Sequence, residues 1–381
     1  MNFLKTTFLA GTAAATLGLA AGTAAHADPL STPAMSGPLA ANPNPMSFDT
    51  GIGKIYLTGQ LTGLGVSQDH SIAGDKDSRI DLTNAQIEIQ KTDGVFQFYV
   101  QAGTYATPSL GAGYVKSTDL PDLTYHYVPN AYVKIVPSAN FNIQAGILPT
   151  MIGAEYTFSF QNMNIARGLL WNQEPAISRG VQANLTQGPW AVSVALTDGY
   201  YSNRYTTGST LITYTVGKED TVAFAASAQF KKTSKSGFAT PLAQNNGDIF
   251  NLIWTHTEGN WQLVPYLQYS HTPKSAKVGL TDSGSTFGGA VLAKYAINSN
   301  WNVAGRAEYI TSSGSDVSLL YGTKSSAWSL TLTPTYQMDK MFIRGEVSYT
   351  KIESGTVGSM FGKFGDKDDQ FRAMVETGFL F

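Results

Sequence analysis

Three pairs of opposite charges stand near the end of the chain: Arg306 with Glu308, Arg344 with Glu346, and Arg372 with Glu376. Residues at even spacing share one face of a β-strand, so the members of each pair point the same way in an extended chain. Two chemistries are open to them. A row of alternating charges lining a passage can orient polar solutes. Alternatively, the charges neutralise one another across strands and leave no uncompensated charge in an enclosed space. Three cations and three anions cancel, so weak ion selectivity is expected from them.

A second group of polar residues lies in one long connection, within GILPTMIGAEYTFSFQNMNIARGLLWNQEPAISRG. Glu155, Asn162, Asn164, Arg167, Glu174 and Arg179 are embedded there among Leu148, Met151, Ile152, Tyr156, Phe158, Phe160, Ile165, Leu169, Leu170 and Trp171. Connections this long are usually functional or disordered. The apolar content argues against disorder. A segment folded into a lumen would bury the apolar residues and leave the polar ones at a constriction. Lys134, on an earlier inward face, joins these candidates. The other reading is an external cap or a contact between subunits.

Other chemistry is poorly supplied. The chain has no cysteine, which excludes disulfides, thiolate metal sites and cysteine nucleophiles. His70, His126, His256 and His271 sit in no G-x-S-x-G or H-E-x-x-H motif. SGTVGSMFGKFG (354–365) resembles a phosphate loop but has Val357 at the first glycine position and Phe364 where Ser or Thr is needed. No cofactor, no metal and no enzymatic activity are expected. A formal net charge of −2 gives no surface for nucleic acid.

The elements that would position these residues read as strands. Apolar residues make up 43% and charged residues 14% of the chain, with 38 glycines and many tyrosines and phenylalanines, a mix that suits strands and turns. Residues 1–27 read as a secretory signal peptide: Lys5, an apolar stretch from Phe8 to Ala21, then Ala25-His26-Ala27. Residues 28–53, with five prolines, read as an extended or disordered lead-in. No later segment has the ~18 uninterrupted apolar residues of a membrane helix.

From Lys54 onward, period-two alternation predicts sixteen strands. They run over roughly 54–66, 79–90, 95–105, 125–136, 141–148, 179–187, 190–198, 209–216, 221–231, 247–257, 260–271, 286–296, 301–311, 327–337, 341–351 and 369–381. The runs at 209–216 and 286–296 are the weakest. Connections alternate short and long, KTDG (91–94) and PSAN (137–140) against 106–124 and 149–178. That pattern predicts an all-β, antiparallel up-and-down transmembrane barrel over 54–381, with short periplasmic turns and long external loops.

Aromatic spacing separates this from a soluble sandwich. Trp261 and Tyr269, Trp301 and Tyr309, and Trp328 and Tyr336 each lie eight residues apart on one strand face. Eight residues span roughly 26 Å along a strand, or ~20 Å along the normal at a tilt of about 40°, close to the ~25 Å apolar band of an outer-membrane barrel. Phe371 and Phe379 repeat the spacing. The opposite face carries Gln97, Gln101, Tyr132, Lys134, Gln262, Gln268, Thr331 and Thr333, too polar for a packed core, so the lumen is expected to hold water. An adhesin or a structural anchor would share every one of these strand features.

A resemblance adds to this reading. AGILPTMIGAE (145–155), followed by Asn162, Asn164, Arg167-Gly168 and Ser178-Arg179-Gly180-Val181, together with Arg306-Ala307-Glu308-Tyr309, resembles the OmpL-like beta-barrel porins of Gram-negative outer membranes. The resemblance implies passive diffusion of small hydrophilic solutes and ions, with outer-membrane lipids around the barrel. In the broader porin group the loop after the fifth strand folds inward, which fits the position of 149–178. A homotrimer and a monomer are equally compatible with the sequence. Phe381, a closing aromatic, resembles the signal read by the barrel-assembly machinery.

Overall fold

The computed structural model describes residues 38–42, 44–314 and 317–381. The expected signal peptide, 1–27, lies outside them. Seventeen strands are present: β1 (Met46–Thr50), β2 (Gly53–Gln68), β3 (Ser78–Lys91), β4 (Phe96–Tyr105), β5 (Asn130–Ser138), β6 (Phe141–Pro149), β7 (Ile177–Gln187), β8 (Trp190–Thr197), β9 (Thr207–Val216), β10 (Asp220–Gln229), β11 (Asp248–Glu258), β12 (Trp261–Thr272), β13 (Gly284–Ala296), β14 (Trp301–Gly314), β15 (Ser326–Met338), β16 (Met341–Ser354) and β17 (Asp369–Leu380). From β2 to β17 each strand pairs antiparallel with the next, and β17 pairs with β2 to close the ring. The result is a sixteen-stranded antiparallel barrel. Closure matters because an open edge in lipid leaves backbone groups unpaired at several kcal/mol each.

The two weakest runs are β9 and β13, which the barrel completes from both sides. The fourth strand starts later than expected, at Asn130. Residues Leu120–Leu123 make a short helix and His126 takes a left-handed φ of 59°, so the chain there turns instead of extending. Short turns rely on the same backbone region. Gly188 (φ 57°) supplies it between β7 and β8, and Asp339 (φ 54°) between β15 and β16.

The expected lead-in, 28–53, lies outside the described residues at 28–37 and 43. Its residues Met46–Thr50 form β1, which pairs with Gly53–Leu57 of β2. Strand β17 covers β2 from Gln60 to Gln68, and Phe381 exchanges two backbone hydrogen bonds with Gly59, each 2.9 Å. β1 therefore covers the stretch of β2 edge that β17 leaves bare.

The interior also departs from a purely polar lining. Ala225, Ile249, Ile253, Val264, Tyr266, Ala290 and Leu292 of β10–β13 are buried inside, in one cluster with Met151, Ile152, Ile165, Leu169 and Leu170 of the long connection. In β11 the two faces contrast little, with Phe250, Leu252 and Trp254 outward and Ile249 and Ile253 inward beside Asn251 and Thr255. Part of the barrel is thus a packed core, with the inserted segment as the material that fills it.

Candidate functional site

The centre of the site is the long connection between β6 and β7. Every residue from Met151 to Leu170 is buried. Two short 3₁₀ turns, Ser159–Gln161 and Leu170–Gln173, give it compact corners. Asn162 stabilises one of them: its side chain donates to the carbonyls of Tyr156 (2.8 Å) and Phe158 (2.9 Å) and accepts from Tyr156 N (2.7 Å). Arg167 donates to the carbonyls of Thr157 and Pro108, the latter at 2.7 Å, and stacks over Trp171 at 4.6 Å.

The inward charges of the late strands meet this segment. Arg306 Nη1 donates to Glu155 Oε1 at 2.6 Å and to the Ala166 carbonyl at 2.8 Å. Its Nε lies 3.4 Å from Glu308 Oε1. Glu308 accepts from Leu169 N (2.8 Å) and from Ser329 Oγ (2.6 Å). Glu346 accepts from the backbone N–H groups of Ile165 (2.5 Å) and Ala166 (3.0 Å). Asn164 reaches Thr333 Oγ1 at 2.7 Å, and that hydroxyl donates to Glu346. Arg344 holds Glu376 at 2.5 Å and donates to the carbonyls of Ser159 and Asn162. Ser159 Oγ donates to the other Glu376 oxygen at 2.6 Å. Arg372 donates to Gln68 Oε1 (2.8 Å) and to the Ser109 carbonyl (2.9 Å).

Charges that are paired and also hydrogen-bonded can be buried at tolerable cost. In this set the backbone amides of the segment act as donors to wall carboxylates, and its carbonyls as acceptors for wall guanidinium groups. Burial raises the Glu155 carboxyl above its ordinary value, and the adjacent Arg306 guanidinium opposes that rise.

Three of the candidates stand apart. Arg179 pairs with Asp198 at 2.8 Å and lies over Tyr201, at the outer end of β7. Glu174 is buried with neither carboxyl oxygen hydrogen-bonded among the described residues. Lys134 is inward on β5, opposite Gln97 and Gln144, and only half-buried.

Trp261, Tyr269, Trp301, Tyr309, Trp328, Tyr336, Phe371 and Phe379 are all outward and exposed or half-exposed. The rings also pair across strands: Trp261 with Tyr295 (4.6 Å), Trp301 with Tyr336 (4.9 Å) and Trp328 with Tyr349 (5.6 Å). Trp190 with Tyr214, at 4.5 Å, was missed by the eight-residue spacing. Its signal is local, since Trp190, Trp261 and Trp301 each directly follow a short turn (QGP, EGN, NSN). Also missed were the contacts that the wall residues Asn84, Asn251 and Gln268 make with Ser159, Gly153 and Leu170 respectively. A polar residue on an inward strand face carries no mark of what it will meet. The third omission is Leu39, buried in a cluster that includes Phe342 and Leu380, while Ala40 exchanges two hydrogen bonds with Gln337 (2.8 and 2.9 Å).

Comparison with known proteins agrees with this architecture. Solved structures of similar fold include OmpT of Vibrio cholerae (11% identity, TM-score 0.58, covering 88% of this chain and 100% of that one), an anion-selective porin from Comamonas acidovorans (11%, 0.58, 86% and 99%) and the outer membrane channel DcaP of Acinetobacter baumannii (10%, 0.59, 87% and 99%). At such identities the likeness is one of fold. No curated protein matches the sequence. The family model described as "Putative beta-barrel porin-2, OmpL-like" matches residues 54–381, the whole of the closed barrel, so the chain belongs to that family and is a porin of the bacterial outer membrane.

Proposed function

We propose that the barrel is a passive, non-catalytic channel for small hydrophilic solutes and ions, narrowed by residues 149–178. One observation carries this reading: the segment lies buried within the barrel and is bonded to β14 and β16 through Glu155, Ile165, Ala166 and Leu169, to β15 through Asn164 and to β17 through Ser159. A wall that spends its charges on an inserted segment sets the width of the remaining passage. Width and a mild field are all that diffusion requires. The adhesin or anchor reading is not favoured, since the chain belongs to a porin family.

Planar-bilayer conductance of the purified protein tests the proposal. Discrete ion-conducting steps are expected, and deletion of 155–175 should raise their size. A non-conducting wild-type barrel would sink the reading. Unchanged conductance after the deletion would place the segment outside the current path.

A homotrimer also fits. One of the OmpT structures is described as a trimer form. In this chain, β10–β17 each carry an outward aromatic towards the end away from the short turns: Phe230 just beyond β10, then Phe250, Tyr269, Phe287, Tyr309, Trp328, Tyr349 and Phe371. At the same level β2–β9 carry small or aliphatic residues, among them Ser67, Ile80, Thr104, Ala131 and Leu196. On that side the exposed aromatics are Tyr127 and Tyr205, in the loops just before β5 and β9, and a rim poorer in interfacial aromatics suits a protein neighbour better than lipid head groups. Native mass measurement in detergent would find three copies; one copy would refute this. Phe381 is proposed as the residue read by the barrel-assembly machinery, and normal outer-membrane insertion of Phe381→Asp would refute that role.

A further inference from the structure

Nine consecutive strands, β4 to β12, turn a single charged side chain towards the interior, and it is Lys134; Arg179 of β7 shares the outward parity of Val181 and Leu185. Its ladder partners are Gln97 and Gln144, and neighbouring inward positions hold Tyr99, Tyr132, Asn142 and Gln182. No carboxylate lies within ion-pair distance of Lys134 among the described residues. It keeps partial exposure, and since it points inward, that exposure is to the lumen.

The rest of the inward charge is otherwise engaged. Arg306, Glu308, Arg344, Glu346, Arg372 and Glu376 are almost wholly buried and bonded to the inserted segment, to its flanking loop or to one another. Of the inward acids of β3, Glu88 is fully buried and accepts from Thr58 (3.1 Å) and Gln60 (3.2 Å), and Asp81 accepts from Tyr114 and Ser117; Arg79 pairs with Asp75, and Lys54 of β2 lies 3.9 Å from Asp49. Lys294, inward on β13, already has a partner. The inward faces of β10–β12 are largely packed against the inserted segment, so along β4–β9 a solute meets neutral amides, hydroxyls and rings, and one unpaired cation.

We propose that Lys134 is the specificity-determining residue of the channel and gives it a preference for small anions, inorganic or carboxylate. This rests on the channel reading above and sharpens it. The three charge pairs of the late strands were expected to leave the wall nearly unselective. Their engagement with the inserted segment, with neighbouring loop and wall groups and with one another supports that expectation, and the selectivity passes to the side of the barrel that lacks them. A unit charge in a confined aqueous passage attracts counter-ions within a Debye length of about 10 Å at 0.1 M salt. A permeability ratio of about 3–5 for chloride over potassium is expected, shrinking as salt is raised.

The experiment is the reversal potential of the full-length mature protein in a planar bilayer under a KCl gradient. Wild type should prefer chloride, Lys134→Arg should keep the preference, Lys134→Gln should bring the ratio near one, and Lys134→Glu should reverse it. Conducting channels whose reversal potential is the same in wild type and Lys134→Glu would overturn this proposal and leave the porin reading standing. A cation-preferring wild type would overturn it too. A wild type that does not conduct would overturn the porin reading itself, and the proposal with it.

Discussion

Arg306 of β14 and Glu155 of the inserted segment meet at 2.6 Å, 151 residues apart in sequence, with both side chains out of contact with water. Arg306 also faces Glu308 at 3.4 Å, so one guanidinium serves two buried acids. The two halves of this contact should differ in cost. Glu155→Gln keeps the shape and leaves Arg306 with Glu308, Thr331 and the Ala166 carbonyl, so a loss of about 1–3 kcal/mol is expected. Arg306→Met strands two carboxylates and should cost about 3–5 kcal/mol. Thermal unfolding in detergent, followed by heat-modifiable electrophoretic mobility, would rank them. Equal losses would mean that Glu308 is not shared.

The closure of the ring depends on a glycine. A Cβ on Gly59 would lie 2.5 Å from the Phe381 ring and 2.7 Å from the carbonyl oxygen of Gln86. The ring could turn aside; the carbonyl is held in the β2–β3 ladder. Gly59→Val should therefore lower the yield of folded barrel on refolding into detergent, without the assembly machinery, several-fold, and Phe381→Ala added to it should not restore that yield. Full recovery in the double variant would show that the ring alone is the obstacle.

Much of this fold was legible because a barrel wall is local chemistry repeated. Alternation, turn residues and aromatic spacing located all sixteen barrel strands, since each strand between water and lipid must show one apolar face. Trp301 and Tyr336 belong to this class: their types announce an interface, although only the register shows that they pair. The inserted segment was legible by its length and composition, and its partners were not. Nothing in Thr333 or Asn251 says that a loop atom will lie beside it, because those contacts are set by long-range packing. The apolar inward faces of β10–β13 were misread for the same reason. Alternation reports contrast between faces, and Ile253 has none to offer beside Leu252 and Trp254.

The residues ahead of β1 supply a third prediction. Leu39 is buried in the same cluster as Phe342 and Leu380, the carbonyl of Pro38 accepts from Asn302 at 3.2 Å, and Ala40 is held by Gln337. These wall residues lie near the short-turn ends of β14–β17, so the segment lies inside the periplasmic mouth. Leu39→Asp would place a charge among apolar side chains, where it is strongly disfavoured. The segment should leave the mouth, with single-channel conductance raised and barrel stability little changed. Unaltered conductance would show that ions pass beside the segment.

Glu174 gives the channel a pH dependence of calculable sign. Both carboxyl oxygens are buried without a hydrogen-bond partner among the described residues, and burial raises its pKa well above the ordinary range, reinforced by Glu155 and Glu308. Tyr200 and Tyr266 also face it. A carboxyl group whose folded pKa is raised binds more protons in the folded state. Its effect is absent below the unfolded value of about 4.3 and destabilises increasingly as pH rises through the window above it, by up to about 1.4 kcal/mol per pH unit. Glu174→Gln cannot ionise and escapes that loss. The stability difference between Glu174→Gln and wild type, measured in detergent from pH 4 to 8, should therefore start small and widen with pH. Parallel curves across that range would mean that Glu174 ionises as readily inside the barrel as in the unfolded chain, and that a cation or water reaches it there.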